Sequence, residues 1–374
     1  MTSSLLHDAW ISVSRSALRH NFGAVQVLVG PDVTVMAVVK ANAFGHGAGE
    51  TARVFQDASA GFFAVTTPDE ALELRNAGII GRILVFLPPL PGQVDVLIQA
   101  GCDLTVCDSA SITAVAEAAQ KLGLTAAVHL KADTGMGRLG VLPGEALAAA
   151  RQIAESRSLR FAGIYTHFAQ ALEKDDAATR TQFALFQKVL ADLEHAKIDP
   201  GLRHCANSAA LVRFPEMRLD AVRPGTILYG QYPSAAVPRI LALQETWRMQ
   251  ARIVSVRDVP SGSAIGYGGE FRTRRASKLA VLPIGYADGF TTAPASGSRG
   301  WRGLKILLRP VPITVTVRGK RAPVVGRVAM QTCVLDVTGI PGVTAGDIAI
   351  IPARRLMASA RLPRVFVDRL DEPS

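Results

Sequence analysis

The chain has only four cysteines among its 374 residues, and they match neither a metal-binding pattern nor a disulfide framework. Cys102, Cys107, Cys205 and Cys333 form no C-x-x-C pair, and no histidine lies near them at zinc-finger spacing. We therefore expect no metal site. Reduced thiols are typical of the cytoplasm, so a cytoplasmic location is expected.

Long hydrophobic runs are also missing. The richest apolar segment, 78–90, is interrupted by Arg82, Pro88 and Pro89, so no run reaches the ~18 residues of a membrane-spanning helix. The first ten residues lack a basic region and a long apolar stretch, so no secretory signal is expected. With 49% hydrophobic and 19% charged residues, the composition is typical of a globular protein without membrane contacts.

Acidic residues are outnumbered, 31 against 41 lysines and arginines, which gives a formal net charge of +10. Such a charge can indicate nucleic-acid binding, but the basic residues are dispersed and no stacking aromatics lie between them. The densest cluster, 272–278, is interpreted as a solvated face, with contact to a polyanion as the weaker alternative. No nucleic-acid partner is expected.

Strand-like and helical segments alternate from Ser14 to Gly225. Helical patterns cover 68–78, 109–123, 143–156 and 178–197, with Asp108 or Ser109 as candidate N-cap and Gly123 as candidate end of the second. The predicted strands are 34–40, 61–66, 82–87, 103–107, 126–132, 161–166, 201–205 and 220–223.

Eight strands alternating with helices predict an α/β fold, a (β/α)8 TIM barrel. A doubly wound sheet is the alternative, but the glycine spacing of Gly45-His46-Gly47-Ala48-Gly49 does not match its G-x-G-x-x-G fingerprint.

After about Pro238 the sequence changes character. Short apolar segments separated by Gly and Pro turns predict a C-terminal mostly-β domain. We expect the barrel over 12–238 and the β domain over 239–374, with the N-terminal strand of 1–11 joining the latter. The strand-like segments are 250–256, 278–283, 313–317, 323–328, 333–337 and 347–351.

The segment Thr34–Gly47 ends a buried strand at Lys40, which a glycine-rich turn follows. The ordinary interpretation is a lysine that extends its amine to solvent. The alternative is a partly desolvated amine with a lowered pKa, able to form a Schiff base. The neighbouring strand ends discriminate between the two.

Polar residues recur at the predicted carboxyl ends of strands, where the functional residues of TIM barrels lie. Each has an ordinary explanation alone, such as a buried histidine, an ion pair or a helix cap. Their common placement favours a functional site. They are Lys131, Asp133, Arg138, His167, His204, Asn207, Ser208, Arg223, Gly225 and Thr226.

A lysine nucleophile, two arginines and a small-residue turn after the last two barrel strands favour pyridoxal 5'-phosphate (PLP). The loops after those strands form a recurring phosphate site in this architecture. The lysine would bond the aldehyde, and a cation near the pyridine nitrogen would tune its electronics.

At these residues the chain resembles the alanine racemases over nearly its whole length. The resemblance implies a PLP-dependent isomerase that supplies D-alanine for the peptidoglycan of the cell wall. It also implies a homodimer packed head to tail, in which the partner's second domain completes each active site. The segments that carry it are Ala37–Gly47, Asp133–Gly140, Arg223–Gly225, Gly266–Gly268 and Pro283–Gly289.

The resemblance assigns two bases. Lys40 would hold the cofactor and act as one base, and Tyr267 of the partner subunit would act as the other. Two are needed because racemisation removes the Cα proton from one face and returns it on the other. Arg223 would face the pyridine nitrogen, and because a guanidinium keeps its proton, that nitrogen would stay unprotonated and side reactions would be limited.

The remaining roles are also implied by the resemblance. His167 would orient Arg223, while Ser208, Gly225 and Thr226 would contact the phosphate. Arg138 would lie by the phenolic oxygen of the cofactor and the substrate, positioned by Lys131, which is carbamylated in many relatives. The backbone at Met330 would meet the substrate carboxylate, and His204 and Tyr286 would support these groups.

Four positions depart from the family pattern: Phe44 and Ala360 replace tyrosines, Gln331 an aspartate and Thr292 an arginine. Loss of the two phenols is expected to weaken phosphate binding by roughly 0.5–1.5 kcal/mol per hydrogen bond and to widen the entrance.

We therefore expect interconversion of L-alanine and D-alanine by a two-base mechanism. The alternatives are a racemase of broader or different amino-acid specificity, a PLP-dependent decarboxylase and an inactive PLP-binding homologue. A decarboxylase would not need Tyr267 and commonly uses a second-domain cysteine, whereas Cys333 lies in a strand-like run and predicts a packed thiol. Retention of both Lys40 and Tyr267 disfavours an inactive homologue.

Overall fold

The computed structural model describes residues 7–291 and 313–371, so Thr292 lies outside the described residues. The chain divides into two compact units: Arg15–Glu245, and the described residues of Met1–Ser14 with Thr246–Ser374. The sequence predicts the two boundaries between these units after residues 11 and 238, and the structure has them after Ser14 and Glu245. Within the described ranges, no helix is both long and apolar enough to cross a membrane.

The unit Arg15–Glu245 is a closed barrel of eight parallel strands, as the sequence predicts, and the doubly wound alternative is wrong. Strand β1 (Ala9–Ser14) precedes it in the chain and belongs to the other unit. Each predicted barrel strand is present. They are β2 (Thr34–Val38), β3 (Phe62–Val65), β4 (Arg82–Val85), β5 (Asp103–Val106), β6 (Ala126–Lys131), β7 (Leu159–Tyr165), β8 (Leu202–Asn207) and β9 (Ala221–Arg223).

Helices connect the barrel strands, and local capping explains where several begin. Thr67 and Glu70 form a capping box at the start of the helix Pro68–Asn76. Asp108 caps the helix Ser109–Leu122, which ends at Gly123 in the left-handed conformation, so both cap predictions are confirmed. The helices are α1 (Arg15–Val29), α2 (Lys40–Gly45), α3 (Ala48–Asp57), α4 (Pro68–Asn76), α5 (Pro91–Gln99), α6 (Ser109–Leu122), α7 (Ala146–Glu155), α8 (Ala177–His195) and α9 (Ala210–Arg213).

The barrel closes where β9 pairs with β2, Thr34 opposite Ala221. Inward-facing apolar side chains, among them Met36, Phe62 and Leu84, pack in its interior. Because all eight strands run parallel, their carboxyl ends share one rim, and the residues that follow them face a common mouth.

The other unit is built on a nine-stranded sheet in the order β11-β14-β17-β16-β15-β18-β10-β1-β19. β1 pairs with β10 and β19, so the N-terminal strand lies in the sheet of this unit. The strands are β10 (Trp247–Arg252), β11 (Ser255–Val259), β12 (Ala264–Ile265), β13 (Phe271–Arg272), β14 (Ser277–Leu282), β15 (Thr314–Val317), β16 (Lys320–Val325), β17 (Cys333–Asp336), β18 (Ile348–Ile351) and β19 (Arg364–Val367).

The predicted strand 250–256 is wrong as a single element, because it spans the end of β10 and the start of β11. The N–H of Ile253 donates to Asp347 and that of Val254 to Val281. The backbone therefore changes partner strands between these two residues, which apolar periodicity does not reveal.

Candidate active site

A cavity of about 430 Å³ opens among the barrel residues at the carboxyl ends of the strands. This volume lies within the range of small-molecule and cofactor pockets. The structure brings most of the predicted barrel residues to its wall. Those that line it are Lys40, Lys131, Arg138, His167, Asn207, Ser208, Arg223, Gly225 and Thr226.

Lys40 follows the end of β2 and is partly buried. Burial lowers the pKa of its amine, the charge of Arg138 lowers it further, the carboxylate of Glu70 opposes this, and Arg223 adds a smaller lowering. A lower pKa raises the fraction of neutral amine, which is the nucleophilic form. The nucleophile interpretation of Lys40 is thus supported by its surroundings.

The segment α2 is not a regular helix, because its backbone after Lys40 is a left-handed turn, which the sequence did not predict. Ala41, Asn42, Ala43 and Phe44 have φ between 50° and 54° and ψ between 35° and 53°. For residues with a Cβ this conformation costs roughly 1–2 kcal/mol each. Contacts with the rest of the barrel must therefore hold the turn in place.

Glu70 provides the main contacts that hold this turn. Its Oε1 accepts the N–H of Ala41 at 2.6 Å, and its Oε2 accepts the N–H groups of Thr66 and Thr67 at 2.8 and 3.2 Å. One carboxylate on α4 thereby ties the residue after Lys40 to the end of β3. Asn42 adds a second contact, since its Oδ1 accepts the N–H of Ala48 at 2.8 Å.

We expect Glu70→Ala to lower the free energy of unfolding by roughly 2–4 kcal/mol, because three backbone N–H groups lose a charged acceptor. Chemical denaturation of the purified variant measures the loss. Glu73→Ala is the matched control, since Glu73 is an exposed glutamate of the same helix. Equal stability of the two variants would refute the anchoring role of Glu70.

Arg223 is a buried cation at the end of β9, only 3% exposed. Its Nη1 lies 2.6 Å from Nδ1 of His204, and its Nη2 donates to the carbonyls of Thr166 and Cys205 at 2.7 and 3.1 Å. Nδ1 of His167 is farther from Nη2, at 3.4 Å. His204, inside β8, therefore makes the shorter contact, although the resemblance implies the orienting role for His167.

Both histidines around Arg223 are held neutral. Burial, followed by the charge of Arg223, lowers the pKa of His167 to about 3. The same two causes hold the pKa of His204 well below its usual value. Arg223 is consequently the cation at this wall of the cavity, and the imidazoles serve it as hydrogen-bonding partners.

The predicted phosphate end is a compact turn after β8 and β9. The N–H of Gly225 donates to Oγ of Ser208 at 2.8 Å, so in this arrangement the Ser208 hydroxyl, not the Gly225 amide, is available to a ligand. A Cβ on Gly225 would lie 2.8 Å from Cζ of Phe44, so a side chain at this position would displace that ring. Asn207 precedes α9, and its Oδ1 accepts the N–H groups of Ala209 and Ala210 at 3.0 and 3.1 Å.

The loop that carries Arg138 is ordered by Asp133. Its carboxylate accepts the N–H groups of Gly135, Met136 and Gly137 at 2.8–3.1 Å and that of Arg138 at 3.2 Å. Burial, with the charges of Arg138 and Arg223, lowers the pKa of Lys131 to about 8. Lys131 therefore has a substantial neutral fraction near pH 8, the form in which an amine reacts with carbon dioxide.

The predicted residues of the β unit lie on turns. Tyr267 is 71% exposed and begins a short 3-10 turn, and Tyr286 begins another. The N–H of Tyr286 donates to Ala329, and that of Ala287 donates to Met330 at 3.0 Å. The structure thus places Tyr286 beside Met330.

Cys333 lies in β17 and is 1% exposed. Burial raises the pKa of its thiol to about 12. The packed-thiol interpretation is therefore confirmed.

Comparison with known proteins finds relatives that match most of the length of this chain. A family profile described as "Alanine racemase, N-terminal domain" matches residues 13–233, and one described as "Alanine racemase, C-terminal domain" matches 246–361. An alanine racemase of Methanococcus maripaludis is 39% identical and covers 96% of this chain and 99% of its own.

Solved structures show the same similarity. An alanine racemase of Clostridium difficile 630 superposes with a TM-score of 0.88 at 29% identity, over 96% of both chains. A histidine racemase of Leuconostoc mesenteroides reaches 0.83 at 28% identity, over 96% of this chain and 98% of its own.

Proposed function

The chain belongs to the alanine racemase family, and we propose that it is a PLP-dependent isomerase that interconverts L-alanine and D-alanine. The observation that carries the proposal is the position of Lys40. An amine with a lowered pKa lines the same barrel cavity as a buried arginine and a serine–glycine turn.

The residues of the cavity fit PLP. Lys40 supplies the amine for the aldehyde, and Arg223 supplies a permanent cation for the pyridine side. Ser208 and Thr226 can donate their hydroxyl groups to the phosphate. Because Gly225 has no side chain, the ring of Phe44 packs against it and the space for the phosphate is not reduced. Arg138 provides a further cation for the phenolic oxygen and for a substrate carboxylate.

PLP, when bound, supplies the electron withdrawal that makes the Cα proton of an amino acid removable. Lys40 holds or delivers that proton at its Nζ on one face of Cα. Tyr267 of the partner subunit does so with its hydroxyl on the other face, so that inversion follows. The N–H of Met330 would bind the substrate carboxylate, since an ionised carboxylate only accepts hydrogen bonds.

The partner and the location are part of the proposal. A homodimer would place Tyr267 of the partner subunit at the barrel mouth, in keeping with the exposure of that side chain on a single chain. The enzyme would act in the cytoplasm, where its four free, buried cysteines stay reduced, and would supply D-alanine for peptidoglycan.

The proposal is tested by incubating the purified protein and PLP with single L-amino acids, including alanine and histidine, and following circular dichroism. Loss of optical activity with L-alanine is expected. A larger rate with another side chain would favour the alternative of different specificity. No change in optical activity with any amino acid would refute the racemase assignment. Release of carbon dioxide would favour a decarboxylase, which membership of this family does not support.

We expect Phe44→Tyr to tighten PLP binding about 2- to 12-fold, the equivalent of one hydrogen bond of roughly 0.5–1.5 kcal/mol. Cζ, the atom that would carry the new hydroxyl, faces Gly225 at the predicted phosphate end. Equilibrium titration of the apoprotein with PLP measures the change. Unfolding of the apoprotein is the control for strain, and an unchanged or higher Kd at unchanged stability would place the phosphate elsewhere.

A further inference from the structure

Four polar side chains form a continuous hydrogen-bonded chain from Arg223 to the opposite end of the barrel. Nη1 of Arg223 meets Nδ1 of His204 at 2.6 Å, and Nε2 of His204 meets Nδ1 of His129 at 3.0 Å. Nε2 of His129 meets Oδ2 of Asp103 at 3.1 Å. Asp103 is the first residue of β5 and is paired with Arg82, the first residue of β4.

The chain crosses the barrel interior. His129 is on β6 and His204 on β8, strands that are not neighbours in the sheet, so their rings meet inside the barrel. Both histidines are 0% exposed and Asp103 is 2% exposed. The barrel makes room for the contact at Gly163 of β7, where a Cβ would lie 2.3 Å from Nδ1 of His129.

Only one arrangement of protons satisfies all of these contacts. A guanidinium has no acceptor, so Nδ1 of His204 must accept and its proton must be on Nε2. That N–H donates to Nδ1 of His129, whose proton is therefore also on Nε2 and is donated to Asp103. A second proton on either ring would set two N–H groups against each other.

The electrostatics of the three groups agree with this arrangement. Burial lowers the pKa of both histidines, which favours the neutral rings. Burial alone would raise the pKa of Asp103, but the hydrogen bond from His129 and the charge of Arg82 lower it below its usual value. Asp103 is therefore an ionised acceptor.

We infer that Asp103 is a positioning residue for the cofactor site, acting on Arg223 through His129 and His204. The ionised carboxylate fixes both tautomers and so presents a bare Nδ1 to Arg223. This holds the guanidinium at one orientation in the cavity. The inference rests on the proposed function, because Arg223 is there the group that faces the pyridine nitrogen.

Nitrogen-15 NMR of the histidine-labelled holoenzyme tests the tautomers without any assay. His129 and His204 are expected to be neutral, each with its proton on Nε2, and single histidine substitutions assign the signals. A doubly protonated ring at pH 8, or a proton on Nδ1 of either, would overturn the inference.

Asp103→Asn tests the effect on Arg223. If Arg223 loses its orientation, the pyridine nitrogen is less restrained, and the amino group of alanine should be transferred more often to bound PLP, giving pyruvate and pyridoxamine phosphate. The ratio of pyruvate formation to racemisation should rise between roughly 2-fold and 150-fold, the range that coupling energies within one hydrogen-bond network span.

Asp220→Asn is the matched control. Asp220 also lies at the amino end of the barrel and pairs with Arg203, but it does not contact the chain of four. An equal ratio in the two variants would leave Asp103 a merely structural residue. If Asp103→Asn does not fold, His129→Gln serves, because Gln can donate to Asp103 while the acceptor for His204 is lost.

The two proposals fail in different ways. Racemisation of alanine together with an unchanged ratio and other tautomers would overturn this inference alone. Absence of racemisation by the wild-type protein, with the expected tautomers, would overturn the proposed function alone.

Discussion

Lys40→Ala is expected to abolish alanine racemisation, with a loss on the order of 10⁴-fold, the upper end of what one positioned proton-transfer group contributes. The variant loses both the amine that bonds PLP and one of the two proposed bases. The rate of racemisation is measured by following the circular dichroism of alanine with time. In the wild type, borohydride reduction followed by peptide mass spectrometry should find the pyridoxyl group on Lys40.

Lys121→Ala is the matched control, since Lys121 is an exposed lysine of the same barrel that pairs only with Asp95 among the described residues. It should keep wild-type activity. Appreciable racemisation by Lys40→Ala, or a pyridoxyl group on Lys131 instead, would show that another lysine holds the cofactor.

Tyr267→Phe is expected to lower racemisation by roughly 10²–10⁴-fold, because only one face of Cα would keep a proton-transfer group. L-alanine and D-alanine have equal free energies in water, so conversion must slow equally in both directions. Exchange of the Cα proton with solvent need not do so. In deuterium oxide, Lys40 should still exchange the proton of D-alanine, whereas exchange from L-alanine should be suppressed.

Proton NMR of each enantiomer in deuterium oxide measures the exchange directly. Tyr232→Phe is the control, because Tyr232 is a barrel-unit tyrosine whose hydroxyl donates to Leu241, outside the proposed site. Equal suppression of exchange from both enantiomers in Tyr267→Phe would contradict the assignment of the two bases to opposite faces.

The barrel could be predicted because each of its strands has a recognisable local sequence pattern. Runs such as 34–40 and 82–87 combine β-branched residues with a glycine or proline boundary, and every barrel strand lies within or next to its predicted range. The prediction of 250–256 as a single strand is wrong because no local pattern marks the boundary between β10 and β11. The adjacent β-branched residues Ile253 and Val254 lie at the break itself, and only their change of hydrogen-bonding partner separates β10 from β11.

The wall of the cavity was predictable from the rule that functional residues follow the strands of a barrel. Lys40, Arg223 and Ser208 were found in this way. Asp103, His129 and Glu70 were not, because the first two lie at the start and in the middle of strands and the third on a helix. A signal existed for His129: a polar residue between the apolar Val128 and Leu130 of a predicted buried strand needs a buried partner or costs stability.

The partners of these missed residues depend on closure of the barrel. Asp103 and His129 are on neighbouring strands, but His204 is reached only across the interior. Glu70 meets the residue after Lys40 because β3 lies beside β2. Sequence periodicity describes one element at a time and contains no distance between two of them.

The left-handed turn after Lys40 explains why this segment is composed as it is. Four successive residues with positive φ exclude valine, isoleucine and threonine, whose branched Cβ collides with the backbone there. The unbranched alanines and the asparagine of Ala41-Asn42-Ala43 are thus compatible with this handedness, independently of any contact with a ligand. Part of this sequence motif therefore reflects the backbone conformation. A related chain could keep these residues for the turn alone while catalysing a different reaction.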